Sequence, residues 1–360
     1  MDVTSEIPET LFTCVGQIVQ PKLNRIMDSH VVQLGKAQDM IYSSQSSENE
    51  WILAVFDGHG MNSGLNPFTN QFGNHNLCIE SLNHFIQESF EDQNVLETHL
   101  KKDIFDVKDN PASSLQKELG RVCISNGLCM TTGATMSLVK IRHDSIIHKI
   151  IVDVLCVGDS PVVIHQNGNK VFESTIHNYS NIAELERLKK EDRFFPGEKE
   201  LLETHTFEIL DEQHITPRTG YYFNTKYIRL AMSQSLGHIQ FNGSRVVDET
   251  GMLGLDPCKA RLEFEDTDEL NIKLFSDGVS DVIVPNTLLD DADFMKTSNA
   301  HETVDRAVAR WKQDWKYCNK NAYLNHNDKT NVKHVIHNFN HNKDADDVSC
   351  ISWIQTSQIK

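Results

Sequence analysis

At 360 residues, with 39% apolar and 24% charged side chains, the chain has the length and composition to bury one large core or two ordinary ones. A formal net charge of −17, with no cluster of Lys and Arg, argues against a nucleic-acid partner, because phosphate neutralisation needs gathered cations. No run approaches the roughly 18 apolar residues of a membrane span, and Met1-Asp2-Val3-Thr4-Ser5-Glu6 lacks the basic start and apolar core of a signal peptide, so a cytoplasmic or nuclear location with no membrane partner is expected.

In chain order, the apolar pattern predicts a strand over Leu11–Val19, a second over Trp51–Phe56, and helices over Leu77–Glu91 and Ser113–Ile124. Strands follow over Thr135–Ile141, Ile150–Val157 and Val162–His165, with a hairpin turning at Gln166-Asn167-Gly168-Asn169. A charge-rich helix over Ile182–Glu191 precedes residues 193–227, which are polar and aromatic by turns and read as a flap or surface insertion. Beyond these come a strand over Ile272–Phe275, a helix over Thr303–Trp315 and a last strand over Val348–Ile354. Residues 318–345, dominated by Asn, His and Lys, carry too little apolar surface to order themselves and read as an irregular insertion. Strands in runs, then helices, then strands again imply antiparallel sheets with helices outside them, and no repeat or linker divides residues 1–360 into separate domains.

The eight cysteines (Cys14, Cys78, Cys123, Cys129, Cys156, Cys258, Cys318 and Cys350) are scattered without a Cys-x-x-Cys pair, the pattern of reduced buried thiols rather than zinc ligands or disulfides. His326, His334, His337 and His341 have no ligand spacing on a predicted rigid element.

The chemistry lies in a repeated arrangement of Asp and Gly at strand ends. Trp51–Phe56 runs into Asp57-Gly58-His59-Gly60, Ile150–Val157 into Gly158-Asp159-Ser160, and Ile272–Phe275 into Ser276-Asp277-Gly278, with Asp281 one helical turn later. Asp346-Asp347 reverses the order by preceding its strand. One such Asp is ordinary turn chemistry, but strand ends lie side by side in a sheet, so four can converge. Converging carboxylates repel unless a cation sits between them, and an all-oxygen donor set selects Mg²⁺ or Mn²⁺ over zinc.

These residues resemble the protein phosphatase 2C family. Asp57-Gly58-His59-Gly60 is similar to its hallmark motif, Thr132-Gly133-Ala134-Thr135 to the following strand motif, and Gly158-Asp159-Ser160 to its Gly-Asp-Ser turn. Leu230-Ala231-Met232-Ser233-Gln234-Ser235-Leu236-Gly237, Ser276-Asp277-Gly278-Val279-Ser280-Asp281-Val282 and Asp346-Asp347-Val348-Ser349 resemble three more, all in the family's order. The resemblance implies an α+β fold, a four-layer α-β-β-α sandwich with two central antiparallel sheets flanked by helices. It also implies a metal-dependent serine/threonine phosphatase acting on phosphorylated proteins, expected to be a monomer, with two Mg²⁺ or Mn²⁺ ions per site and a third, looser one. Asp57 would bridge two metals, Gly58 would lend its carbonyl, and Asp277 and Asp346 would complete the set. Asp159 and Asp281 match the third site, and His59 matches the general acid.

The N-terminal motif departs from the family. Ile26-Met27-Asp28-Ser29-His30 aligns with the acidic pair ahead of the first long strand, so Asp28 joins the metal ligands while Met27 replaces a Glu that a thioether cannot mimic toward Mg²⁺. The phosphate-gripping Arg falls at Leu23, leaving Lys22 or Arg25 as the phosphate clamp; Pro161 stands where an Arg usually follows the Gly-Asp-Ser turn, and Asp347 stands where the family has Asn. Two readings follow: an active phosphatase, or a catalytically weak or inactive module of the same fold that binds phosphoproteins or scaffolds partners. Retention of Asp57, Asp277 and Asp346 together supports the first.

Overall fold

A computed structural model of the chain describes residues 24–34, 38–60, 64–65, 72–73, 89–90, 93–126, 132–178, 181–190, 202–208, 217–224, 229–238, 240–242, 245–248, 254–283, 289–312, 316–320, 334–338 and 345–356. The expected strand Leu11–Val19, most of the expected helix Leu77–Glu91 and Lys22 lie outside these residues; the end of that helix, Ser89–Phe90, is instead a short strand paired with Gln93–Asn94.

Strands β1 (Asn24–Val32), β2 (Asp39–Ser47) and β3 (Glu50–Gly60) open the fold. After helices α1 (Val95–Leu100) and α2 (Pro111–Asn126) come β4 (Thr132–Ala134), β5 (Met136–Asp144), β6 (Lys149–Val157), β7 (Val162–Gln166) and β8 (Asn169–Glu173). Helix α3 (Ile182–Lys190) leads to β9 (Leu202–Glu208), β10 (Pro217–Asn224), β11 (Arg229–Leu230), β12 (Leu236–Gly237), β13 (Cys258–Glu265) and β14 (Leu270–Phe275). The chain continues through α4 (Asp277–Ser280), α5 (Leu289–Thr297), α6 (Ala300–Trp311), β15 (Lys316–Lys320), β16 (His334–Asn338) and β17 (Val348–Thr356).

Two antiparallel sheets carry the core. One has the order β1-β17-β14-β7-β8; the other runs β12-β4-β3-β5-β6-β13, with β2 also pairing β3. The alternation in β3 shows how the layers arise. Trp51, Leu53 and Val55 join Ile272, Ile351 and Trp353 between the sheets, while Ile52, Ala54 and Phe56 meet Leu96, Leu100, Leu115 and Leu119 of α1 and α2 on the outer face. On the far side, Phe275, Val348 and Cys350 pack against Met295 of α5 and Ala300, Val304 and Ala307 of α6. Helices, sheet, sheet, helices: the expected four layers are present.

Helix α6 is held by a reciprocal cap, Asn299 accepting from Glu302 N while the Glu302 carboxylate accepts from Asn299 N at 2.9 Å each. Its Arg310 makes a bidentate bond at 2.6 and 2.7 Å to Asp291, whose side chain is fully buried, locking α5 to α6. The turn expected at 166–169 joins β7 to β8, with Asn167 at φ 50 and Gly168 at φ 76 in the left-handed region that a tight turn requires, while β6 lies outside this hairpin and pairs with β5 and β13 in the other sheet.

Residues 193–227 and 318–345 are less irregular than their composition suggests. β9 and β10, from the first stretch, pair with each other, and β9 also pairs β15, which pairs β16 from the second stretch. Backbone ladders supply this order without an apolar sequence pattern, which is why neither stretch read as a sheet. Among the described residues, no helix is long and apolar enough to cross a membrane.

Candidate active site

Asp57 lies near the end of β3, and its backbone is clamped on both sides. Its N–H donates to Thr135 Oγ1 at 3.2 Å, and its carbonyl accepts from Thr135 N–H at 2.8 Å. Thr135 Oγ1 is in turn 2.5 Å from Ser160 Oγ, next to Asp159. Gly158, at φ 96, passes so close to Thr135 that an added Cβ would sit 2.6 Å from Cγ2, so the Gly-Asp-Ser turn needs its glycine to approach the Thr-Gly-Ala-Thr strand.

Asp277 enters at the first turn of α4, and its backbone N–H donates to the Asp57 carboxylate at 3.3 Å. Ser276 ties this loop to the strand opposite: its Oγ accepts from Ser349 N at 3.0 Å, and its N–H donates to Ser349 O at 3.1 Å. That staple carries Asp346 and Asp347 in. The approach is tight enough that a Cβ on Gly278 would lie 2.0 Å from the Asp347 carbonyl and 3.4 Å from Asp346 Cβ. The Gly278 carbonyl is held from behind by the indole N–H of Trp311 at 2.7 Å.

The structure adds a carboxylate absent from the expected set. Asp39 begins β2 directly opposite Asp57, and its side chain is buried. Asp57, Asp39 and Asp277 all have their carboxyls raised well above the usual range. Burial is the largest cause for each, and neighbouring carboxylates add to it: Asp277, Asp39 and Asp346 for Asp57; Asp347 and Asp346 for Asp39; Asp346, Asp281 and Asp159 for Asp277. Asp346, Asp159 and Asp281 are thus within electrostatic reach of Asp277. Asp347 has a different task. Its two oxygens accept from the N–H groups of Leu34 and Gln38, both at 2.7 Å, so it anchors the approach to β2.

Two expected residues do not join the site. Asp28 stands opposite Ser352, and its carboxylate accepts from His301 N–H at 3.1 Å and meets His301 Nδ1 at 2.6 Å. It pins α6 to β1; Asp39, not Asp28, is the Asp beside Asp57. Arg25 is engaged elsewhere: its Nε donates to Gln355 at 2.9 Å, and its guanidinium lies 5.3 Å from the Trp51 ring. Trp51 is six strand residues from Asp57, about 20 Å away. The other clamp candidate, Lys22, lies outside the described residues.

His59 follows Asp57 by two positions on β3 and stacks on His238, with ring centroids 5.0 Å apart. Burial, and next the neighbouring His238, hold its imidazole well below the usual range, so the ring is neutral at neutral pH. His238 fits there because Gly133 has no side chain: a Cβ would fall 2.5 Å from His238 Nε2.

The protein phosphatase 2C family model matches residues 19–315. The chain belongs to the protein phosphatase 2C family. The matched span ends before Asp346, which reaches the site through the pairing of β17. Solved structures with a similar course include a C. elegans sex-determining protein (14% identity, TM-score 0.46), covering 93% of this chain and 65% of that one, so this chain spans about two thirds of that protein's length. A bacterial serine phosphatase (13%, 0.46) covers 92% of this chain and 97% of its own; the catalytic domain of the serine/threonine phosphatase PstP, in complex with two manganese ions (12%, 0.43), covers 93% and 100%. No curated protein sequence matches the chain.

Protein phosphatase 2C enzymes are metal-dependent, and the donor set here fits a hard divalent cation. Burial and neighbouring carboxylates both disfavour the charged forms of Asp57, Asp39 and Asp277, and a divalent cation is the kind of group that such oxygen donors suit. Among the described residues no three acidic, His or Cys side chains are grouped closely enough to hold a metal ion as they stand.

Proposed function

We propose that this chain is a metal-dependent protein serine/threonine phosphatase acting, as a monomer, on phosphoserine and phosphothreonine in phosphorylated proteins. The observation that carries the reading is the meeting of buried Asp57 with partly buried Asp277, Asp277 N–H on the Asp57 carboxylate at 3.3 Å, two carboxylates from separate strand ends. Asp57, the Gly58 carbonyl, Asp277 and Asp346 would hold two Mg²⁺ or Mn²⁺ ions. Asp39 would take the place first given to Asp28, and Asp159 and Asp281 would serve a third, looser one. Such ions, when bound, supply an acidified water as nucleophile and positive charge against the phosphoryl oxygens.

The chain's own residues do the rest. Thr135 and Ser276 fix the backbone of the carboxylate strand ends, which would limit the backbone reorganisation needed when ions bind. His59 serves as proton donor to the leaving serine or threonine alkoxide. Because its resting imidazole is neutral, it acts only in the fraction that carries the extra proton. The test is hydrolysis of a phosphothreonine peptide with Mn²⁺, with EDTA and with Asp277→Asn as controls. Turnover that requires Mn²⁺ and disappears in both controls supports the phosphatase. A folded protein that binds Mn²⁺ without turnover overturns it in favour of an inactive binding module.

A further inference from the structure

We propose that Cys156 and Cys258 are an oxidisable pair that a hydroperoxide converts to a reversible disulfide. They are direct partners in the antiparallel pairing of β6 and β13, so their side chains leave the same face of the sheet. Both belong to the apolar cluster between the sheets, Cys156 inside it and Cys258 packed against it. Directly opposed residues have Cα atoms about 4.5–5.5 Å apart, inside the roughly 4.4–6.8 Å that a disulfide spans. Both thiols are free.

The two positions differ in a way that orders the chemistry. Cys258 is partly exposed and sits at the start of β13, the last strand in its sheet, where a small oxidant can reach it. Cys156 is fully buried, and that burial, with a smaller contribution from Cys258, pushes its thiol up to about 12. The Cys258 thiolate therefore attacks the terminal peroxide oxygen first, breaking the O–O bond to leave a sulfenic acid and releasing hydroxide or alkoxide. The Cys156 sulfur then attacks Cys258 Sγ; the S–S bond forms, the S–O bond breaks, and water leaves with the Cys156 proton. Two thiols are oxidised and one hydroperoxide is reduced. A small thiol reverses the step by exchange. The bond would join β13 to β6 three residues before Asp159, beside Asp256, whose N–H donates to Gln234 at 2.8 Å.

The test uses the full chain, fully reduced, exposed to hydrogen peroxide, blocked by alkylation, digested without reductant and analysed by mass spectrometry. The expected result is one joined peptide pair linking Cys156 to Cys258, lighter by two hydrogens than its parts, with two fewer free thiols under denaturing conditions. Dithiothreitol removes it, and Cys258→Ser, with unchanged far-ultraviolet circular dichroism, never forms it. Recovery of Cys258 as sulfinic or sulfonic acid beside alkylated Cys156, linkage of either to a different cysteine, or no oxidation of Cys258 would each overturn the proposal.

Discussion

Asp39 and Asp57 face one another across the β2–β3 pair, two buried carboxylates brought together by a single skipped residue. The pairing starts with Ser47 opposite Glu50, but an irregularity between Gln45 and Ser47 shifts the register, so that Gln45 meets Trp51 and Asp39 meets Asp57. Without that bulge Met40 would stand opposite Asp57, and every side chain of β2 would exchange faces. We predict that Asp39→Asn raises the melting temperature of the metal-free protein, by relieving repulsion, and weakens Mn²⁺ binding by about tenfold or more. Thermal scans with and without Mn²⁺ check both; an unchanged Mn²⁺ affinity would remove Asp39 from the site.

The same repulsion sets a pH dependence. Asp39, Asp57 and Asp277 have folded-state carboxyls raised above the ordinary 3.8, so between that value and their raised values the folded state holds more protons than the unfolded one. Their contribution to stability is fully present below about pH 4 and is lost as pH rises through the folded values. The metal-free wild type should therefore lose stability relative to Asp277→Asn as pH climbs from 4 toward neutrality, and divalent cation should reverse the loss in the wild type. Chemical denaturation at a series of pH values, with EDTA and with Mn²⁺, reads the difference. Parallel pH curves for the two proteins in EDTA would contradict it.

Asp347 should matter for stability rather than for metal. Its carboxylate accepts two backbone N–H groups at 2.7 Å, and Asp347→Ala leaves both without that acceptor. The expected loss is about 3 kcal/mol in urea unfolding, for two charge-assisted bonds in a buried setting. Asp347→Asn should recover only part of it, since the amide end presents a donor to a donor. Full recovery by Asn would show that the two bonds are not what the carboxylate supplies.

Arg25→Met separates a structural from a phosphate-binding role. The Gln355 bond and the Trp51 contact are lost, so unfolding should come about 1–3 kcal/mol earlier. The KM for a phosphopeptide should stay within about twofold, because uniform substrate binding is not removed. A large rise in KM with stability unchanged would return Arg25 to the phosphate.

The sequence pattern conveys the strands richest in buried apolar residues most clearly. Trp51–Phe56, Ile150–Val157 and Ile272–Phe275 lie buried between helices and a second sheet, so their side chains announce them. β1, β2 and β13 carry polar residues at half or more of their positions and escaped the pattern. That omission drew the acidic pair to Met27-Asp28, on a strand occupied with α6, rather than to Gln38-Asp39. The cue was present: Asp39 precedes Met40-Ile41-Tyr42 just as Asp346-Asp347 precedes Val348, a carboxylate at the start of a strand. The bulge near Ser46 was not legible, because a skipped residue leaves no mark on hydrophobic spacing until its partner strand is known.

The central place of β17 has a consequence for synthesis. Asn24 pairs with Thr356, and β17 also separates β1 from β14, the strand that leads to Asp277. At about 5–20 residues per second, β1 waits roughly 15–65 s after its own translation for the strand that lies beside it. Throughout that interval β1 keeps a row of unmatched amides, β14 adds a second once it is made, and Asp57 and Asp277 then lack Asp346. A ribosome-bound chain therefore carries a half-assembled centre and two adhesive edges, and assembly of one sheet ends both conditions in a single event.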